Sequence, residues 1–194
     1  MTPKLQQRLA ALRAQGHEVG LHGSIGTATD AQRLAQERHI LAQATQGLRF
    51  HYLRWEPRNT PAWIEKAGFQ YDATLGFAEH FGFRNSYCHP FYPFNFGTGT
   101  AHDFLEIPLN VMDATLHHPN YLQLGAHEIL PALTPLFAEI EKFGGVASVL
   151  WHNENFDPAN TTTGPRQFHE IMRQLSQRGA AFLTGHEISR HYPA

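Results

Sequence analysis

Gly16-His17-Glu18-Val19-Gly20-Leu21-His22-Gly23-Ser24 is the stretch from which the fold is read. It is short, apolar and bounded by glycines, as a buried strand is when it runs out into a loop. The residues before it, Thr2 to Gln15, place Leu5, Leu9 and Leu12 on one helical face, and Gly16 suits a C-cap. His22 stands at the strand's carboxyl end beside glycines that let another group approach closely. An imidazole there can serve as a metal ligand or acid/base group, or equally as a core histidine bound to a backbone carbonyl.

The pattern outward from this stretch alternates strand and helix. Asp30 suits the N-cap of a helix through Gln46 that turns Leu34, Ile40 and Leu41 inward. Leu48–Leu53 reads as a second strand. Thr60–Gly68 reads as a short helix with Pro61 in its first turn, and Phe69–Ala73 as a third strand. Leu75–Gly99, rich in Phe, Gly and Pro, shows neither period and reads as a long structured loop. Phe104–Met112 reads as a strand in which Pro108 argues for an edge or a bulge. A helix over Ala126–Phe143, a buried strand over Val146–Trp151, a helix over Gly164–Gln177, a strand over Ala180–Leu183 and a helical turn over His186–His191 complete the chain. Alternating βα units predict an α/β fold with a mostly parallel sheet, and chemistry at the carboxyl ends of its strands. Those ends carry His22, then Arg49-Phe50-His51-Tyr52, then Asp72, Asp113, and His152-Asn153-Glu154.

Composition narrows the function classes. The chain has 194 residues, enough for a single domain, and a formal net charge of -2, which gives no basic field for nucleic acid. No apolar run is long enough to span a bilayer and no signal-peptide pattern opens the sequence, so a cytoplasmic location is expected. Cys88 is the single cysteine, which rules out an internal disulfide. Fourteen histidines raise the expectation of a metal or proton-transfer site. Cys88-His89 offers a thiolate and an imidazole, although a structural loop explains the pair better. His117-His118 falls in a polar stretch and is expected to face solvent. Phe77, Phe81, Phe83, Tyr87, Phe91, Tyr92, Phe94 and Phe96 suit either a sugar-stacking wall or the packing of the long loop.

Gly16–His22 resembles the second motif of the NodB-type polysaccharide deacetylases (carbohydrate esterase family 4), whose usual form is G-H-E-I-G-N-H-T-x-x-H. Arg49-Phe50-His51-Tyr52 is similar to that family's R-x-P-Y motif. Val149-Leu150-Trp151-His152 resembles the late strand that ends in its catalytic histidine, and Trp63–Phe77 resembles the segment after the third motif. The resemblance runs from Gly16 to about His186. It implies a distorted (β/α) barrel over residues 1–194 and a metal-dependent hydrolase acting on amide bonds. Such an enzyme removes acetyl groups from N- or O-acetylated carbohydrate, with a divalent metal, zinc in the usual case, polarising the carbonyl. By the same resemblance His22 is a metal ligand and Arg49 orients the general base. His152 is the general acid and Tyr52 lines the site. Trp151 and Glu154, on either side of His152, are candidate substrate contacts, and Glu154 equally suits a partner to a histidine or a solvated carboxylate.

The departures from the family pattern are specific. The second metal histidine would fall at Gly26, and the proline of the third motif is His51, which can supply the missing imidazole. No counterpart of the family's opening Asp-Asp motif precedes His22. The expectation is therefore a domain incomplete at its amino terminus, with an uncovered sheet edge that favours self-association. A catalytically incomplete carbohydrate-binding or scaffold relative is the alternative reading. His22, Arg49, His51 and His152 are expected to converge, with Cβ atoms on the order of 10 Å apart.

Overall fold

The computed structural model describes residues 1–41, 45–157, 159 and 165–193. The chain divides into two compact units. The first is built from Met1–Leu75, Pro90–Ile107 and Leu183–Ala194, the second from Gly76–His89 and Pro108–Phe182.

The first unit is organised on a parallel sheet in the order β1 (Leu21–Gly23), β2 (Gly47–Phe50), β3 (Tyr71–Asp72) and β6 (Leu105–Glu106). In register, His22 is opposite Arg49, Leu48 opposite Asp72, and Asp72 opposite Glu106. Helices α2 (Ala31–Leu41) and α3 (Thr60–Ala67) connect successive strands, as parallel pairing requires. Leu21, Leu34, Leu48, Phe50, Ile64, Phe69 and Phe104 close the core. The Asp30 carboxylate accepts the Arg33 backbone N–H, the expected N-cap of α2, and Gly68 closes α3 at φ 76°. Tyr71 lies between two glycines: a Cβ at Gly47 would come within 2.1 Å of its ring and one at Gly185 within 2.3 Å. Gly185 opens α7 (Gly185–His191), whose Thr184 and Glu187 form a capping box. The antiparallel pair β4 (Phe94–Asn95) and β5 (Thr100–Ala101) makes a small hairpin.

The second unit pairs β7 (Val111–Met112) with β8 (Val149–Leu150) in parallel. Around them lie α4 (Asp113–His117), α5 (Ile129–Phe143) and α6 (Pro165–Gln177). Val111, Leu116, Leu133, Phe137, Ile171 and Leu175 form its core, and Cys88 is packed among them as a small apolar group. Gly145 abuts Cys88, since a Cβ there would lie 2.5 Å from its Sγ.

Several expectations are corrected. Helix α1 (Pro3–Ala14) buries no residue, and Leu5 and Leu12 are exposed. Leu34 is buried as expected but Ile40 is exposed. The strand expected over Phe104–Met112 is two strands in two sheets, β6 and β7. Pro108 lies between them, where its missing N–H ends the ladder. The strand expected as most buried, Val146–Trp151, is only half-buried and regular over Val149–Leu150 alone. Residues 180–183 form no strand, and Phe182 and Leu183 are exposed. The expected continuation of α2 over 42–44 and the start of α6 at 164 lie outside the described residues.

Candidate functional site

The residues singled out by sequence fall into two sets, one in each unit. In the first, β1 delivers His22 and the end of β2 delivers His51. His22 Nε2 lies 3.0 Å from His51 Nδ1 with the rings edge to face, so one nitrogen donates and the other accepts. The chain leaves β2 in a tight turn in which Tyr52 and Leu53 both adopt positive φ, 58° and 52°. Two consecutive side chains in the left-handed region store strain of the kind found at functional sites. The Tyr52 ring leans on His51 at 4.1 Å and is 69% exposed.

The loop after His22 is fixed from below. The Ser24 N–H and hydroxyl both donate to the Glu37 carboxylate, at 3.0 Å for the N–H, and Arg33 donates to Ser24 Oγ at 2.9 Å. Gly23 is required by close approach: a Cβ there would lie 2.7 Å from Thr27 Oγ1 and 3.0 Å from Phe50. Gly26, where the family's second metal histidine would fall, has φ 97° and caps a short 3-10 turn.

Arg49 follows Leu48 on β2 and stands opposite His22 in the register. Its Nε donates to the Ala73 carbonyl at 2.8 Å. Burial pulls its pKa down, while the charges of Asp72 and Glu106 hold it up. Asp72 and Glu106 are both fully buried. Asp72 accepts from the Thr74 N–H at 3.0 Å and the Thr74 hydroxyl at 2.8 Å. Glu106 Oε1 accepts from the Leu75 N–H at 2.8 Å. Burial pushes the Asp72 carboxyl up to about 6 and that of Glu106 well above the ordinary range, the latter reinforced by the Asp72 charge. Glu106 Oε2 has no hydrogen-bond partner among the described residues. With both carboxyl groups pushed up by burial, and Glu106 also by Asp72, the protonated form of the pair is favoured.

The second set is built on the ends of β7 and β8. Asp113, fully buried at the start of α4, accepts four hydrogen bonds. They come from the Ala114 N–H at 2.7 Å, the His152 N–H at 2.5 Å, His152 Nδ1 at 2.6 Å and Asn155 Nδ2 at 2.6 Å. The carboxylate thus fixes both backbone and ring of His152, sets Nδ1 as the protonated nitrogen, and leaves Nε2 for proton exchange. The His152 side chain is 45% exposed. Its parallel partner strand supplies the carboxylate, a link that sequence separation hid.

Around this pair, Trp151 is half-buried and its Nε1 has no hydrogen-bond partner among the described residues. Glu154 is exposed in the 3-10 turn that follows His152. His117, expected to face solvent, is corrected: it is half-buried at the end of α4, against Trp151. Desolvation lowers its pKa against the opposing pull of Asp113 and the Leu124 backbone.

The fit to a divalent metal can be tested on the donors themselves. Two imidazole nitrogens 3.0 Å apart resemble two corners of a tetrahedral zinc site, for which bonds near 2.0–2.1 Å give about 3.3 Å. A hydrolytic zinc site takes three protein ligands. Among the described residues, no group of three or more His, Cys, Asp or Glu side chains is gathered. His22 and His51 therefore do not make a zinc site by themselves. Cys88, within the apolar core, is no ligand to it either.

No helix among the described residues is long and apolar enough to cross a membrane. No protein-family model matches the sequence, and no curated protein does. Among solved structures the chain is similar to the crystal structure of PuuE allantoinase, with a TM-score of 0.64 and 18% sequence identity. The likeness covers 96% of this chain and 62% of that one, so the chain spans less than two thirds of the allantoinase's length. What the two share is the fold: α/β, with parallel strands joined by helices, compatible with the expected distorted (β/α) barrel.

Proposed function

We propose that the chain is a hydrolase that removes acetyl groups from acetylated carbohydrate, cleaving the amide of an N-acetyl group or the ester of an O-acetyl group. The Asp113–His152 pair carries this reading. A buried carboxylate that accepts Nδ1–H holds an exposed imidazole whose Nε2 can take a proton from the attacking water and pass it on to a leaving amine or alkoxide. Tyr52, Trp151 and Glu154 are proposed substrate contacts, and Arg49 a positioning residue that acts through the Asp72–Glu106 pair. The fold shared with an allantoinase is compatible with hydrolytic chemistry, and the motifs at Gly16–His22 and Arg49–Tyr52 support the carbohydrate class. Self-association is proposed through β1, which ends the order of the four-stranded sheet.

The test is acetate release from an acetylated oligosaccharide by the full chain, with zinc or cobalt supplied. His152→Ala should lower the rate by about 10²–10⁴-fold, as expected for loss of a general acid. A rate unchanged by that substitution would remove the proposal. That His22 and His51 come together with no third metal donor among the described residues favours a second reading, a carbohydrate-binding relative without turnover. That reading requires oligosaccharide binding with no acetate release and no stoichiometric metal in elemental analysis.

A further inference from the structure

In the second unit a continuous line of rings flanks the Asp113–His152 pair. His117 meets Trp151 at 6.1 Å between centroids, Trp151 meets Phe168 at 5.6 Å, and Phe168 meets Phe156 at 5.1 Å. The successive interplanar angles are 85°, 58° and 73°, so two pairs meet edge to face and one is tilted, and none of the three is parallel. His117, Trp151 and Phe168 are half-buried. Phe156, at the end of the line, is 39% exposed.

The placement of Phe156 follows from the local chain. It is the last residue of the 3-10 turn Asn153–Phe156, which starts directly after His152 and is tied back to it by the Asn155 N–H to His152 carbonyl bond at 3.0 Å. At about 2 Å of rise per residue, its backbone lies roughly 8 Å along the turn from that of His152. The same turn exposes Asn153 and Glu154 beside it. The site thus offers a single aromatic face, held from behind by Phe168, with an amide and a carboxylate next to it.

We propose that Phe156 is a sugar-stacking subsite that takes the pyranose ring adjoining the acetylated unit presented to His152. A pyranose has one face of C–H groups, which suits the negative face of a single ring, and a rim of hydroxyls, which suits Asn153 and Glu154. A flat heterocycle gains most from two parallel faces, and the tilted rings here provide none. The assignment rests on the carbohydrate reading above and adds to it a requirement for a substrate longer than one sugar.

Calorimetric titration of the full chain with the N-acetylglucosamine pentamer and monomer tests the subsite. Phe156→Ala should weaken pentamer binding about tenfold and leave the monomer little changed. Phe156→Trp should retain pentamer affinity, and Phe143→Ala, which removes another exposed ring of the same unit, should have no effect. Equal pentamer affinity in Phe156→Ala and the unsubstituted chain overturns the subsite. So does Phe156→Trp binding as weakly as Phe156→Ala, and so does absence of pentamer binding. Acetate release on the same samples separates the two claims. Binding through Phe156 without release keeps the subsite and removes the hydrolase; release with binding indifferent to Phe156 does the reverse.

Discussion

Glu106 is a buried carboxyl group on β6, the strand that ends the parallel sheet's order, paired with Asp72 and close to Arg49. Both carboxyl groups have folded pKa values above their unfolded ones, Asp72 at about 6 and Glu106 higher, because burial penalises their charged forms. Between the unfolded carboxylate range and those raised values, the folded chain therefore holds more protons than the unfolded chain. The pair's contribution to stability is complete below about pH 4 and is lost as pH rises through 6 and beyond. Glu106→Gln keeps a donor to Asp72 and removes the proton requirement. In urea melts, its stability relative to the unsubstituted chain should improve from pH 5 to pH 8, by about 1–3 kcal/mol. A difference that stays flat or falls with pH would show that the carboxyl pair does not share a proton. Glu106 had a visible signal, a lone charge within the apolar run Phe104–Leu109. What no single stretch could show is that Asp72 would be its register partner. His152 was legible at the end of its strand, as was Asp113, but their hydrogen bond spans 39 residues and depends on β7 pairing with β8.

At the scale of elements, the local punctuation was legible. The cap at Asp30, the left-handed glycines Gly68 and Gly144, and the helices of α3, α5, α6 and α7 follow from residues within a turn of each other. What failed depended on partners elsewhere. Leu5, Leu9 and Leu12 have helical spacing, yet α1 buries nothing, because periodicity predicts a face and not what covers it. The clamp on Tyr71 is another partner-dependent feature, since Gly47 and Gly185 look like ordinary breakers in the sequence. Gly47→Ala should destabilise the chain by about 1–3 kcal/mol through overpacking against the Tyr71 ring. Combined with Tyr71→Ala it should cost less than the two single changes added together, a coupling that a double-mutant cycle in thermal melts would measure. Strict additivity would mean that the ring is not what excludes a side chain at Gly47.

On the scale of the molecule, the α/β class and the parallel pairing were readable from alternating periods, whereas the division into two units was not. Pro108 gave the hint, as a break inside what otherwise reads as one strand. Each unit takes its core from segments far apart in sequence: Leu21 and Phe104 in one, Cys88 and Ile171 in the other.

The order in which the chain visits those units has a practical consequence for cutting the gene. The first unit is assembled from three stretches and the second from two, so the backbone passes from one to the other four times. No single continuous piece of coding sequence encodes either unit without including part of the other. A fragment of residues 1–75 carries β1, β2 and β3 but leaves Asp72 without Glu106 and Tyr71 without Gly185. Expressed alone it should show a largely unfolded circular dichroism spectrum. Co-expression with residues 76–194 should restore a folded two-piece complex. A fragment of 1–75 that folds by itself would mean that β6 and α7 are dispensable attachments. The same threading predicts that tolerant sites for splitting or permuting the gene lie in exposed turns within a unit, such as the Phe96–Gly99 hairpin tip, rather than at the crossings between units.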